Sequence, residues 1–73
     1  MRDRDVNAIK RCMKNFLLGL SRTERLIVVL YYYEKVTMPE IATSLGWSIS
    51  DVSQMLSSIV RRCRSHLKER GLL

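Results

Sequence analysis

The chain has 73 residues, with 13 Lys and Arg against 7 Asp and Glu and a formal net charge of +6. A chain this short buries only about 60% of the surface its unfolded form exposes, so it holds one thin-cored domain and has no room for a deep catalytic cleft. A basic surface of this kind draws polyanions, of which nucleic acid is the commonest, and the apolar run Leu26 to Tyr33 falls far short of the roughly 20 residues that cross a bilayer.

Cys12 and Cys63 make no disulfide framework, and no secretory signal opens the chain. The expectation is a cytoplasmic protein with reduced thiols and no membrane contact. Both cysteines fall on apolar helix faces and read as small buried hydrophobes. Cys63 and His66 have C-x-x-H spacing, but no second pair completes a tetrahedral zinc site. The many serines lack a base and an orienting acid in any recognisable order, so neither enzyme chemistry nor a cofactor or metal is expected.

The glycines are Gly19, Gly46 and Gly71, each where a helical pattern ends, and Pro39 is the single proline. The first element runs from about residue 5 to 18. Val6, Ile9, Met13, Phe16 and Leu17 recur at helical spacing, with Arg11, Lys14 and Asn15 on the other face. The second, residues 22–34, opens at Ser21 and Glu24, which have capping-box spacing. Its body, RLIVVLYYYEK, would suit a strand by β-propensity, but the cap and the want of a partner strand favour helix. Being apolar nearly all round, it is expected at the centre, with Leu26, Ile27, Val29 and Leu30 inside.

The third element, residues 38–45, starts at Thr37 with Pro39 in its first turn and Glu40 at capping-box distance. Ile41, Ala42 and Leu45 face inward, and Gly46 ends it with positive φ. The fourth, residues 49–70, opens at Ser48 with Asp51 in its first turn. Its apolar stripe is Val52, Met55, Leu56, Ile59, Val60, Cys63 and Leu67. Arg61, Arg62, Arg64, Lys68 and Arg70 make its last turns basic, which also suits the helix dipole.

The architecture expected is a single all-α domain over residues 1–73: four helices with a helix-turn-helix, akin to winged-helix DNA-binding domains but without a wing. Ala42 is small where two helices approach, Gly46 allows the tight corner, and Val52 packs beneath it. In that arrangement the second helix of the pair is offered to a DNA major groove.

LSRTERLIVVLYYYEKVTMPEIATSLGWSISDVSQMLSSIVRRCRSHL resembles region 4 of the bacterial sigma-70 family, most closely its flagellar and sporulation-type branch. The blocks that carry the likeness are LSRTER, LYYYEKVTMPEIATSLG, SISDVSQ and the basic RRCRSHL, and together they span Leu20 to Leu67. The resemblance implies a domain that recognises the promoter −35 element and docks on the RNA polymerase β flap. It also implies a target for anti-sigma factors. The family's −10-melting domain has no counterpart here, so the resemblance implies an excised fragment or a stand-alone relative.

One departure stands out. The family usually has a basic residue where this chain has Asp51, and often a polar or charged one at Ile49. Asp51 reads a cytosine amino group, or serves only as a cap. The remaining base-reading candidates are Ser50, Ser53, Gln54 and Ser57, and Gln54 is the best of them because its amide pairs with adenine in two places. Lys35, Arg61, Arg62 and Arg64 are the phosphate donors expected, with the free N–H groups around Thr37 and Met38. Arg22 and Arg25 fall to the polymerase side or to solvent. Two other readings share the fold. One is a protein-interaction module using Ile49, Trp47, Leu72 and Leu73; the other is a stand-alone dimeric regulator spanning two half-sites.

Overall fold

The computed structural model describes residues 3–72, and these form four helices with no strand among them. The first, α1, spans Asp3–Leu18, two residues earlier than the apolar periodicity predicts. It closes at Gly19, whose N–H is shared between the carbonyls of Asn15 (3.2 Å) and Phe16 (3.1 Å).

Helix α2 spans Arg22–Val28. Its start is the capping box expected: Ser21 Oγ accepts the Glu24 N–H at 3.2 Å, and the Glu24 carboxylate accepts the Ser21 N–H at 2.9 Å. Two orphan backbone donors are thereby satisfied. Instead of continuing as an α-helix to residue 34, the backbone widens into a π turn over Val29–Tyr33. The Glu34 N–H bonds to Val29 O at 3.0 Å, and the Val36 N–H to Leu30 O at 2.9 Å. Lys35 completes the exit in the left-handed region, at φ 57°.

The π turn and the small size of the domain together correct the expected core of this segment. Ile27 is fully buried, and Leu30 and Tyr31 pack partly against the core. Leu26 and Val29, expected inside, are 45% and 44% exposed, and Tyr33 is 79% exposed. Helices α3 and α4 cover one side of this segment. A π turn holds more residues per turn than an α-helix and rotates the side chains that follow it away from their α-helical positions. An apolar sequence on all sides thus met a fold with cover for only one.

Helix α3 spans Met38–Leu45 and α4 spans Ile49–Glu69. At the start of α3, Thr37 Oγ accepts the Glu40 N–H at 3.3 Å. The Glu40 carboxylate takes its hydrogen bond from the Thr37 hydroxyl at 3.0 Å, so this cap is not the reciprocal kind that forms at Ser21. Ile27, Ile41, Ala42, Val52 and Leu56 make the central cluster, with Leu45, Trp47 and Met55 packed against it.

Helix α1 stands outside that cluster and packs chiefly on α4. There the Cys63 thiol donates to the Met13 thioether at 3.1 Å, and the Phe16 and His66 rings lie 5.6 Å apart. Cys12 is buried and Cys63 half-buried. Burial, then the neighbouring Cys12, pushes the Cys63 thiol above its ordinary pKa, so it behaves as a protonated apolar group. Leu20 is buried as well, a position that the helical periodicity does not single out because it lies between two helices. Val60, assigned to the inner stripe, is 38% exposed at its edge.

Candidate nucleic-acid interface

The three turn residues picked from spacing come together at one corner. Gly46 has φ 69° and closes α3 with paired bonds, Trp47 N–H to Ala42 O at 2.9 Å and Gly46 N–H to Thr43 O at 3.3 Å. This is the Schellman closure, which needs a residue that tolerates left-handed φ. Ala42 is 3% exposed and Val52 fully buried. A larger side chain at Ala42 would push α3 off α4, and a polar one at Val52 would be buried without a partner.

The outer side of α4 is free. Ser48, Ile49, Ser50, Asp51, Gln54 and Ser57 are all exposed, so the helix is not walled in by the rest of the domain. Ser50, Gln54, Ser57, Arg61, Arg64 and Lys68 follow one another at four- and three-residue steps, which is the spacing of a single stripe along a helix. All six are exposed. The first three are neutral hydrogen-bonding groups and the last three are cations. Lys68, read from sequence only as a complement to the helix dipole, belongs to this stripe; its spacing from Arg61 and Arg64 is the signal that finds it.

The other candidates lie elsewhere. Ser53 is half-buried in a shallow groove with Tyr31, Tyr32 and Met38, off the stripe that carries Ser50 and Gln54. Arg62 turns back toward the domain, where its guanidinium pairs with the Glu24 carboxylate. That partner's hydrogen bond, with the Ser21 N–H, holds Glu24 below the ordinary carboxylate pKa. Arg62 Nε also donates to Ser58 O at 3.4 Å. Lys35 and Thr37 are exposed in the loop that leads into α3. The Thr37 hydroxyl already occupies one of the N–H groups of that helix start, and Glu40 places a carboxylate beside it.

Asp51 acts as a cap. Its carboxylate accepts the Ser48 N–H at 3.2 Å while Ser48 Oγ accepts the Asp51 N–H at 3.0 Å. An acid in the first turn is also favoured by the helix dipole. Between the two sequence alternatives for this residue, the geometry supports the cap.

His66 faces Phe16, and its Nε2 is buried without a hydrogen-bond partner. Among the described residues, no three His, Cys, Asp or Glu side chains come together as a metal site. No helix there is long and apolar enough to cross a membrane.

What the molecule does offer is a capped corner and a long helix whose outer face is polar above and basic below, the form in which helix-turn-helix domains meet duplex DNA. Comparison with curated proteins returned no match. The profile of the family described as Sigma-70, region 4 matches residues 16–65, a span that starts in the last turn of α1, contains both capping boxes and the Gly46 corner, and runs to the basic half of α4. The chain belongs to the sigma-70 region 4 family, the DNA-binding helix-turn-helix region of sigma factors.

Proposed function

We propose that this chain binds promoter DNA at the −35 element through α4, as part of transcription initiation by RNA polymerase. The observation that carries the reading is the exposed stripe from Ser50 to Lys68. Its neutral upper part suits base edges, and its cationic lower part suits phosphates. Arg61, Arg64 and Lys68 are the phosphate donors on the helix, with Lys35 added from the loop. The chain acts by binding, without catalysis, and works in the cytoplasm alongside the polymerase.

A second surface supports docking on the polymerase β flap or on an anti-sigma factor. Leu26, Val29 and Tyr33 are exposed along α2 and its π turn, with Arg22 and Arg25 also exposed on that helix. Apolar side chains clustered on a monomer's surface mark a contact face. The same observation favours the alternative in which protein docking is the main task and DNA readout is weak.

The test is titration of labelled promoter duplex over a salt series, with the chain alone and with RNA polymerase core. Neutralising four phosphates predicts a slope of about −3 to −4 in log affinity against log salt. Absence of binding at low salt, both alone and with the core enzyme, would rule the reading out.

A further inference from the structure

We infer that the reading half of α4 selects A·T pairs, with Gln54 taking an adenine and Ile49 a thymine methyl. This inference rests on the DNA-binding reading above and specifies its ligand.

The upper half of α4, Ile49 to Val60, carries no Lys, Arg or His. Guanine presents two acceptors, N7 and O6, in the major groove, and the fork of an arginine is its usual reader. None is available on this half. The one charged group there, Asp51, has its carboxylate engaged at the Ser48 N–H. That bond uses Oδ2 alone and fixes where the carboxylate lies, so a cytosine amino group can be accepted only by its other oxygen at the position the cap dictates.

Two groups remain with strong base preferences. Gln54 is exposed, and its Nε2 donates to Ser50 Oγ at 3.4 Å. An amide nitrogen has two hydrogens. With one directed to Ser50, the other N–H and Oε1 are left as a donor–acceptor pair. Adenine displays the complement, N7 as acceptor and N6–H as donor, whereas guanine would leave Oε1 facing a second acceptor. Ser50 is therefore a positioning residue for Gln54.

Ile49 is the first residue of α4 and is 52% exposed. The N-terminal residues of a recognition helix are those that reach base edges. A branched apolar side chain at that point has one favourable partner in the major groove, the C5-methyl of thymine.

The experiment is selection of bound duplexes from a random pool by the full chain at low salt, followed by base replacement in the enriched site. Enrichment of an A·T-bearing site is expected. Replacing the enriched adenine by 7-deazaadenine should weaken wild type by roughly fivefold or more and leave Gln54→Ala unaffected. Replacing thymine by deoxyuridine removes one methyl and should cost wild type roughly fourfold, with no cost to Ile49→Ala. Ser50→Ala should blunt the adenine preference while leaving the salt dependence unchanged.

Enrichment of G·C sites, binding without sequence preference, or wild-type indifference to both replaced bases would overturn the inference and leave the DNA reading standing. Failure to bind any duplex at low salt, both alone and with RNA polymerase core, would overturn both.

Discussion

The two halves of α4 share one backbone but meet different neighbours on both sides. From Ile49 to Val60 the inner side chains Val52 and Leu56 lock into the cluster of Ile27, Ile41 and Ala42, and the outer side is uncharged apart from the capping Asp51. From Arg61 to Glu69 the inner side meets α1 through Cys63 and His66, and the outer side carries Arg61, Arg64 and Lys68. The half that presents the finer chemistry is backed by the central core. The half that presents charge is backed by a peripheral helix. On the DNA-binding reading proposed above, this division suits the two kinds of contact: base-edge hydrogen bonds demand fixed geometry, whereas attraction to phosphate falls off slowly with distance.

The most severe way to break this division is to empty the core behind the upper half. Ile41→Ala should cost about 2–5 kcal/mol, a large part of what so small a domain possesses. Urea unfolding would read it, with loss of DNA binding alongside. Next comes removal of charge from the lower half. Arg61→Ala with Arg64→Ala should leave the melting temperature nearly unchanged while lowering the magnitude of the salt slope by about two. Fluorescence anisotropy over a salt series separates this from a change in sequence preference.

Gly46→Ala tests the corner that aims the upper half. A Cβ there meets nothing within 4 Å, so the cost is conformational alone, about 1–2 kcal/mol for an L-residue held in left-handed φ. The melting temperature should fall, and the selected DNA motif should stay the same.

The smallest effect is expected at the Glu24–Arg62 link, which ties the lower half of α4 to the start of α2. The folded pKa of Glu24 lies below its ordinary 4.5. Its contribution is therefore complete above that pH and is lost as the pH falls through the lower folded value. A half-exposed pair of this kind is worth about 0–1 kcal/mol. Glu24→Gln should reduce stability slightly at pH 7 and abolish that part of the acid dependence; an unchanged acid limb in thermal melts would show that the link contributes nothing.

Much of the fold was legible because short-range chemistry specifies it. Ser21 with Glu24, Ser48 with Asp51, and Thr37 with Glu40 each mark a helix start through bonds that span three residues. The trio Ala42, Gly46 and Val52 marks the corner through the left-handed φ of Gly46 and the burial of the two side chains on either side of it. The π turn after Val28 was not legible, because no local residue signals the extra width; nor was the one-sided cover that leaves Leu26 and Val29 exposed. Of the candidate contacts, Ser50, Gln54, Ser57, Arg61 and Arg64 share the outer stripe. Arg62 and Ser53 are one position away from members of that stripe in sequence, and a rotation of about 100° per residue turns them toward Glu24 and the Tyr31 groove. Leu73, a proposed exposed contact, lies outside the described residues, while Leu72 is half-buried and bonds through its N–H to Leu67 O at 2.9 Å.

The sequence by itself determined the order of the helices, the caps that start them and the glycine corner, since these depend on hydrogen bonds and dihedral preferences a few residues long. Only the tertiary structure decided which side of each helix is covered, that Arg62 belongs to Glu24, and that α1 supports the basic half of α4. Those outcomes depend on elements distant in sequence competing for a limited buried surface, and no local pattern encodes that competition.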